Sequence, residues 1–199
     1  IDLYPGTESS NPSFLTVYNG KLYFAATDGT HGWELFCSDG TAGGTQLVKD
    51  MIPGARGIFD DGTGFTCINP HFTNSGGYLY FHGDDAGGIG PAQKHWWRTD
   101  GTDAGTFRIE TTLYPWDEDN VATDMNGVFY FASYDAGFGA ELWKSDGSVA
   151  GTTQIIMNNG LTVRPAMMSL GNYVYFNGAD NDSTGLAISD GTTAGSSMA

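Results

Sequence analysis

Basic residues are scarce in this chain: 8 Lys and Arg stand against 23 Asp and Glu, a net charge of −15. Such a surface repels a phosphate backbone and an anionic bilayer, which excludes nucleic acid and acidic membrane as natural partners. Long apolar runs are missing too, so nothing is expected to span a membrane as a helix. There are only 2 cysteines and no CxxC pair, which removes the thiolate zinc sites. The histidines His31, His71, His82 and His95 show no HExxH-like spacing, and neither a Gly-x-Ser-x-Gly elbow nor a phosphate-binding loop occurs. Apolar residues three and four apart are not sustained over any long window, so amphipathic helices are not expected. The chain starts at Ile1 with no Met and no signal-like segment, which points to a processed form or a piece of a larger precursor.

What is abundant is glycine, 30 residues, in a chain of 199 with 14% aromatic content. Without a Gly-X-Y period, that much glycine fits many short strands joined by tight turns. The turns repeat. Glu34-Leu35-Phe36-Cys37-Ser38-Asp39-Gly40-Thr41 has counterparts at Trp97-Arg98-Thr99-Asp100-Gly101-Thr102, at Glu141-Leu142-Trp143-Lys144-Ser145-Asp146-Gly147-Ser148 and at Leu186-Ala187-Ile188-Ser189-Asp190-Gly191-Thr192. Upstream of each lies a Tyr-Phe strand ending at Phe24, Phe81, Phe131 or Phe176, a period of about 50 residues. Asn19-Gly20 and Asn126-Gly127 sit between apolar-rich runs, the strongest local signal of a hairpin.

Four short antiparallel strands per repeat is the pattern of a β-propeller blade. The expected architecture is therefore all-β, a single β-propeller domain over residues 1–199. Its repeats run approximately over 7–54, 55–114, 115–160, and 161–199 with 1–6. The last repeat is completed by the first residues: with Asp190 laid on Asp39, Ala199 falls on Val48, and Ile1-Asp2-Leu3-Tyr4-Pro5-Gly6 continues as Lys49-Asp50-Met51-Ile52-Pro53-Gly54 does. This register predicts four blades closed by pairing of the N- and C-terminal segments. The same join made between molecules gives a head-to-tail polymer, and membership of a larger propeller is the remaining alternative.

At Glu141-Leu142-Trp143-Lys144-Ser145-Asp146-Gly147 and Leu47-Val48-Lys49-Asp50-Met51-Ile52-Pro53-Gly54 the chain resembles the ELWxxDGT repeat proteins, found among secreted and surface-associated bacterial proteins. The likeness runs over nearly the whole chain. It is specific in the first and third repeats and degenerate elsewhere. Gln93-Lys94-His95 replaces the Glu-bearing approach in the second, and Gly185-Leu186-Ala187-Ile188 replaces Glu-Leu-Trp-Lys in the fourth. The resemblance implies an extracellular or cell-surface β-rich repeat fold and no defined reaction, so no catalytic residue is carried over.

Candidate functional residues fall into five groups. Asp39, Asp100, Asp146 and Asp190 precede the turn glycines and are expected to accept backbone N–H bonds, a structural role. Asp28, Asp85, Asp135 and Asp180 each follow the second-strand Phe by four residues and form a second ring on the opposite face. Hard oxygens on Gly-rich loops suit Ca²⁺, although repeated turn chemistry explains them as well. Trp33, Trp96, Trp116 and Tyr134 border the loops that differ between repeats. If exposed they stack on sugars; if buried they fill gaps between blades. His82 with Asp84 and Asp85 is the one cluster with transition-metal chemistry. Cys37 and Cys67 are expected to form a disulfide between the first two blades, in keeping with an oxidising compartment. The leading expectation is a non-catalytic extracellular binding or structural module, filament-forming if the end strands are exchanged. Its partners would be glycans or other copies of itself. A lectin, Ca²⁺-dependent or not, is the first alternative, and a polysaccharide-acting enzyme with two carboxylates about 5–9.5 Å apart is the second.

Overall fold

The computed structural model describes residues 2–60, 67–85, 94–110, 114–115 (backbone only), 121–134, 139–157, 160–180 and 183–199. Every element of regular structure among them is a strand. The first blade holds β1 (Ser13–Tyr18), β2 (Lys21–Thr27), β3 (Trp33–Ser38) and β4 (Gln46–Leu47), hydrogen-bonded in that order. The second holds β5 (Thr73–Ser75), β6 (Tyr78–Asp84), β7 (Lys94–Thr99) and β8 (Phe107–Arg108), again in chain order. The third has β10 (Ala122–Met125), β11 (Val128–Tyr134), β12 (Ala140–Ser145) and β13 (Thr153–Gln154), with β9 (Tyr114–Pro115) pairing the end of β11. The fourth has β14 (Thr162–Leu170), β15 (Tyr173–Ala179), β16 (Thr184–Ser189) and β17 (Ser196–Met198). Third and fourth blades are linked into one nine-stranded sheet by a single pair, Ala140 opposite Val163.

The hairpins follow from turn chemistry. Asn19 and Gly20 have φ of 47° and 73°, and Asn126 and Gly127 have 55° and 79°. Both central residues are thus left-handed, as a type I′ turn between twisted strands requires. The outer strands β4, β8 and β13 are only two residues long.

The chain divides into two compact units, residues 1–72 with 79–107, and residues 73–78 with 108–199. In the first, Tyr23, Leu35 and Cys37 on one face of the first blade pack with Leu79, Phe81 and Trp97 of the second. The ring of Phe81 lies 5.6 Å from Phe59 and 6.4 Å from Trp97. In the second unit Phe129, Phe131, Leu142, Val174 and Phe176 are buried. Each such side chain contributes about 1.5–3 kcal/mol by leaving water, so the faces between blades carry the fold.

One expectation is not confirmed and another meets a different structure. Ile1 lies outside the described residues, Asp2–Gly6 carry no strand, and no sheet is closed by them. Leu3 instead packs with the cluster of Phe24, Ala26 and Phe36 on the first blade. The expected disulfide is not formed: Cys37 and Cys67 are free thiols. Cys37 lies at the Asp39 end of β3, beside Gln46. Cys67 pairs with Asp60, next to Phe59, whose N–H donates to Trp33 at the other end of β3. Four residues of strand separate those ends, on the order of 13 Å, beyond the ~7 Å Cα limit of a bridge. The support a disulfide would lend to an oxidising compartment goes with it.

Candidate functional site

The four Asp-Gly turns are built alike, atom for atom. In the second blade Asp100 Oδ1 accepts from Thr102 N at 2.9 Å and from Thr102 Oγ1 at 2.6 Å. Thr102 Oγ1 in turn accepts from Gly105 N at 3.0 Å. A second chain runs beside it. Gly101 N donates to Thr99 Oγ1 (2.9 Å), the Thr99 and Thr106 hydroxyls are 2.7 Å apart, and Thr106 Oγ1 donates to Thr102 O (2.6 Å). Because Thr106 gives its proton to the carbonyl, Thr99 must be the donor of the hydroxyl pair.

The same bonds recur around Asp39, Asp146 and Asp190. The hydroxyl pair recurs as Ser38–Thr45, Ser145–Thr152 and Ser189–Ser196 at 2.6, 2.8 and 2.7 Å. Hydrogen bonds from Thr41, Thr102 and Thr192 hold Asp39, Asp100 and Asp190 below the usual carboxylate pKa. These carboxylates bind their own turns.

Gly44, Gly105, Gly151 and Gly195 were not recognised in the sequence as part of the motif. A Cβ at any of them would run into the carboxylate of Asp39, Asp100, Asp146 or Asp190. Their signal was present, a Gly-Thr or Gly-Ser pair five and six residues after every turn Asp.

The second ring of aspartates is also engaged locally. Asp28 accepts from Thr30 N (2.8 Å), His31 N (2.9 Å) and His31 Nδ1 (2.7 Å). Burial alone would raise its pKa, but those hydrogen bonds outweigh it and hold the carboxyl low. The same bond raises the pKa of His31. Asp180 accepts from Ser183 N at 2.7 Å, and Asp85 lies 3.6 Å from His95 Nε2. Asp135 lies outside the described residues. Among the described residues no three His, Cys, Asp or Glu side chains gather as a metal cluster.

The histidine cluster is divided. Asp84 pairs with Arg56 at 3.0 Å, while the His82 ring lies 3.8 Å from Trp96 and 4.9 Å from His71. Burial, with His71 and Lys94 adding to it, pushes His82 well below its ordinary pKa, so it stays neutral.

The aromatics separate similarly. Trp96 is fully buried and Trp33 nearly so, which leaves neither ring face to a sugar. Tyr134 is half-buried and Trp116 lies outside the described residues. Trp33 does line the wall of a polar pocket of about 330 Å³, with Tyr4, Glu8, Asn11 and Asp60.

No family model matches the chain, and no curated protein matches it by sequence. Solved structures match it in fold. A puromycin hydrolase mutant in complex with PGG superposes with a TM-score of 0.59 at 12% identity, over 96% of this chain and 29% of that one. Another puromycin hydrolase structure gives 0.56 at 13%, over 95% and 30%. The β-propeller domain of the Trilobed protease from Pyrococcus furiosus gives 0.53 at 13%, over 91% and 52%. The blades are those of a β-propeller. The chain spans less than a third of the length of either puromycin hydrolase chain, and at these identities the likeness is one of fold alone.

Proposed function

We propose that this chain is a non-catalytic β-propeller module of an extracellular or cell-surface protein, with a structural or binding role. The observation behind the reading is that the recurring polar side chains are consumed by turns. The Asp, Thr, Ser and Gly positions that make the repeat memorable hydrogen-bond to one another in all four blades. An active site needs polar groups aimed at a substrate instead. Chromogenic peptide and glycoside substrates at high protein concentration are expected to show no turnover above a buffer blank. Turnover that co-purifies with the chain and disappears on mutating a carboxylate would overturn the reading.

The finer architecture belongs to the same proposal. Residues 1–6 continue Ala199 in the register that Lys49–Gly54 continue Val48, which supports an end-to-end join of the repeat. A ring of four closed by its own ends makes that join within one molecule; a head-to-tail array makes it between molecules. A second reading, carbohydrate binding, is favoured by the polar pocket that Tyr4, Glu8, Asn11 and Asp60 line, with Trp33 only in its wall. A glycan array probed with and without Ca²⁺ tests it; no binding under either condition counts against it.

A further inference from the structure

The second strands of the blades differ in one respect. Strands β2, β6 and β11 are buried along nearly their whole length on both faces, whereas β15 alternates between buried and exposed. Alternation marks a sheet covered on one side only. Counting back from the turn Asp, Leu186 occupies the position of Leu35, Trp96 and Leu142. Those three are fully buried; Leu186 is 56% exposed. Tyr175 occupies the position of Tyr23, Tyr80 and Tyr130, all buried, and is itself half-exposed. Met168 and Leu170, opposite Tyr175 and Tyr173 on the same face, are 62% and 69% exposed. Met168, Tyr175 and Leu186 line an apolar groove of about 510 Å³.

The occupant of that face can be read from the repeat. Tyr23 meets the turn glycine of the following blade, Gly101, through its hydroxyl, and Tyr130 meets Gly191 in the same way. Tyr175 therefore calls for the turn of another blade of this kind. The turn of the first blade is open: nothing lies within 4 Å of a Cβ built on Gly40. On β1 of that blade Val17 pairs with Leu22, on the face turned away from Tyr18, Tyr23 and the second blade. Leu15 shares that face; they are 59% (Leu15) and 65% (Val17) exposed. At the position of Leu15 in the fourth blade stands Met167, which is buried. The fourth blade thus shows an uncovered leading face and the first blade an uncovered β1 margin of its trailing face, the rest of which, at Phe24, Ala26 and Phe36, lies under Leu3.

We propose that the leading face of the fourth blade (Met168, Leu170, Tyr175, Leu186) docks the trailing face of the first blade (Leu15, Val17) of a second copy. The contact joins different surfaces, so it propagates head to tail. The inference rests on the structural reading above, but it is tested by mass and not by turnover, so the two fail separately. With a net charge of −15 the copies repel at long range, and salt is expected to strengthen the association.

Sedimentation velocity from micromolar to hundreds of micromolar protein, at low and high salt, is the test. The weight-average mass is expected to rise several-fold above the monomer with concentration. Leu186→Glu and Val17→Glu, both at exposed positions, are each expected to stay monomeric with unchanged circular dichroism. A one-to-one mixture of the two is expected to form a dimer that grows no further, since each variant keeps the opposite face intact. A wild-type chain that stays monomeric at every concentration and salt, as a ring closed on itself would, overturns the proposal. So does a mixture that remains monomeric.

Discussion

Glu34 offers a sharp test of how the motif works. It lies on β3, is fully buried, and its Oε1 accepts from Ile52 N at 3.3 Å and Ile58 N at 3.2 Å. It therefore ties down the connection that leaves the first blade. Burial, with the nearby Asp50 charge adding to it, pushes the carboxyl from 4.5 to about 8 against the opposing effect of these hydrogen bonds. The folded chain then holds a proton that the unfolded chain releases above about 4.5. Stability from this group is complete below that pH, falls as pH rises through the interval, and levels off above about 8. The full interval corresponds to as much as ~5 kcal/mol, or roughly 10–20 °C in Tm for a chain of this size. Glu34→Gln keeps the carbonyl acceptor and cannot ionise. Urea unfolding at pH 5, 6.5 and 8.5 is expected to show the variant within ~1 kcal/mol of wild type at pH 5 and several kcal/mol more stable at pH 8.5. Parallel pH dependence in the two proteins would refute the buried, protonated carboxyl.

Other consequences concern the turns and the thiols. Gly105→Ala forces a methyl into the Asp100 carboxylate and is expected to cost ~1–3 kcal/mol in urea unfolding, whereas the same change at Gly43, which has open space, is expected to cost less than ~0.5 kcal/mol. Thr106→Val keeps the shape but leaves the buried Thr99 hydroxyl without its acceptor, for an expected loss of ~1–2 kcal/mol. Ellman's reagent without reductant is expected to count two thiols in denaturant, with Cys37 protected in the native protein because it is buried and its pKa is raised by that burial. Finding no thiols in denaturant would restore the disulfide.

What the sequence carried plainly was local chemistry. Asn19-Gly20 and the Asp-Gly turns announce positive φ, and the Tyr-Phe runs announce a recurring strand; neither needs knowledge of distant partners. The hydroxyl pair of each turn was harder to see, because Ser38 and Thr45 meet only after the turn folds back. Position within the repeat was a better guide than residue type. Trp96 looked like an irregular loop aromatic, yet it takes the place of Leu35 and Leu142 and is buried as they are. Cys37 and Cys67 illustrate the opposite case: both belong to the same core, but at ends of β3 that spacing in sequence cannot reveal. Nor could composition show that Leu186, apolar like its counterparts, stands uncovered.

The claim at the centre is that the repeated motif is one hydrogen-bonded device made four times. Amide hydrogen exchange read by NMR at Gly44, Gly105, Gly151 and Gly195 tests it most directly, since each N–H donates to the hydroxyl of Thr41, Thr102, Ser148 or Thr192. All four are expected to be protected, while Gly43, in the same kind of loop, exchanges quickly. Exchange of the four at the rate of an open loop would contradict it.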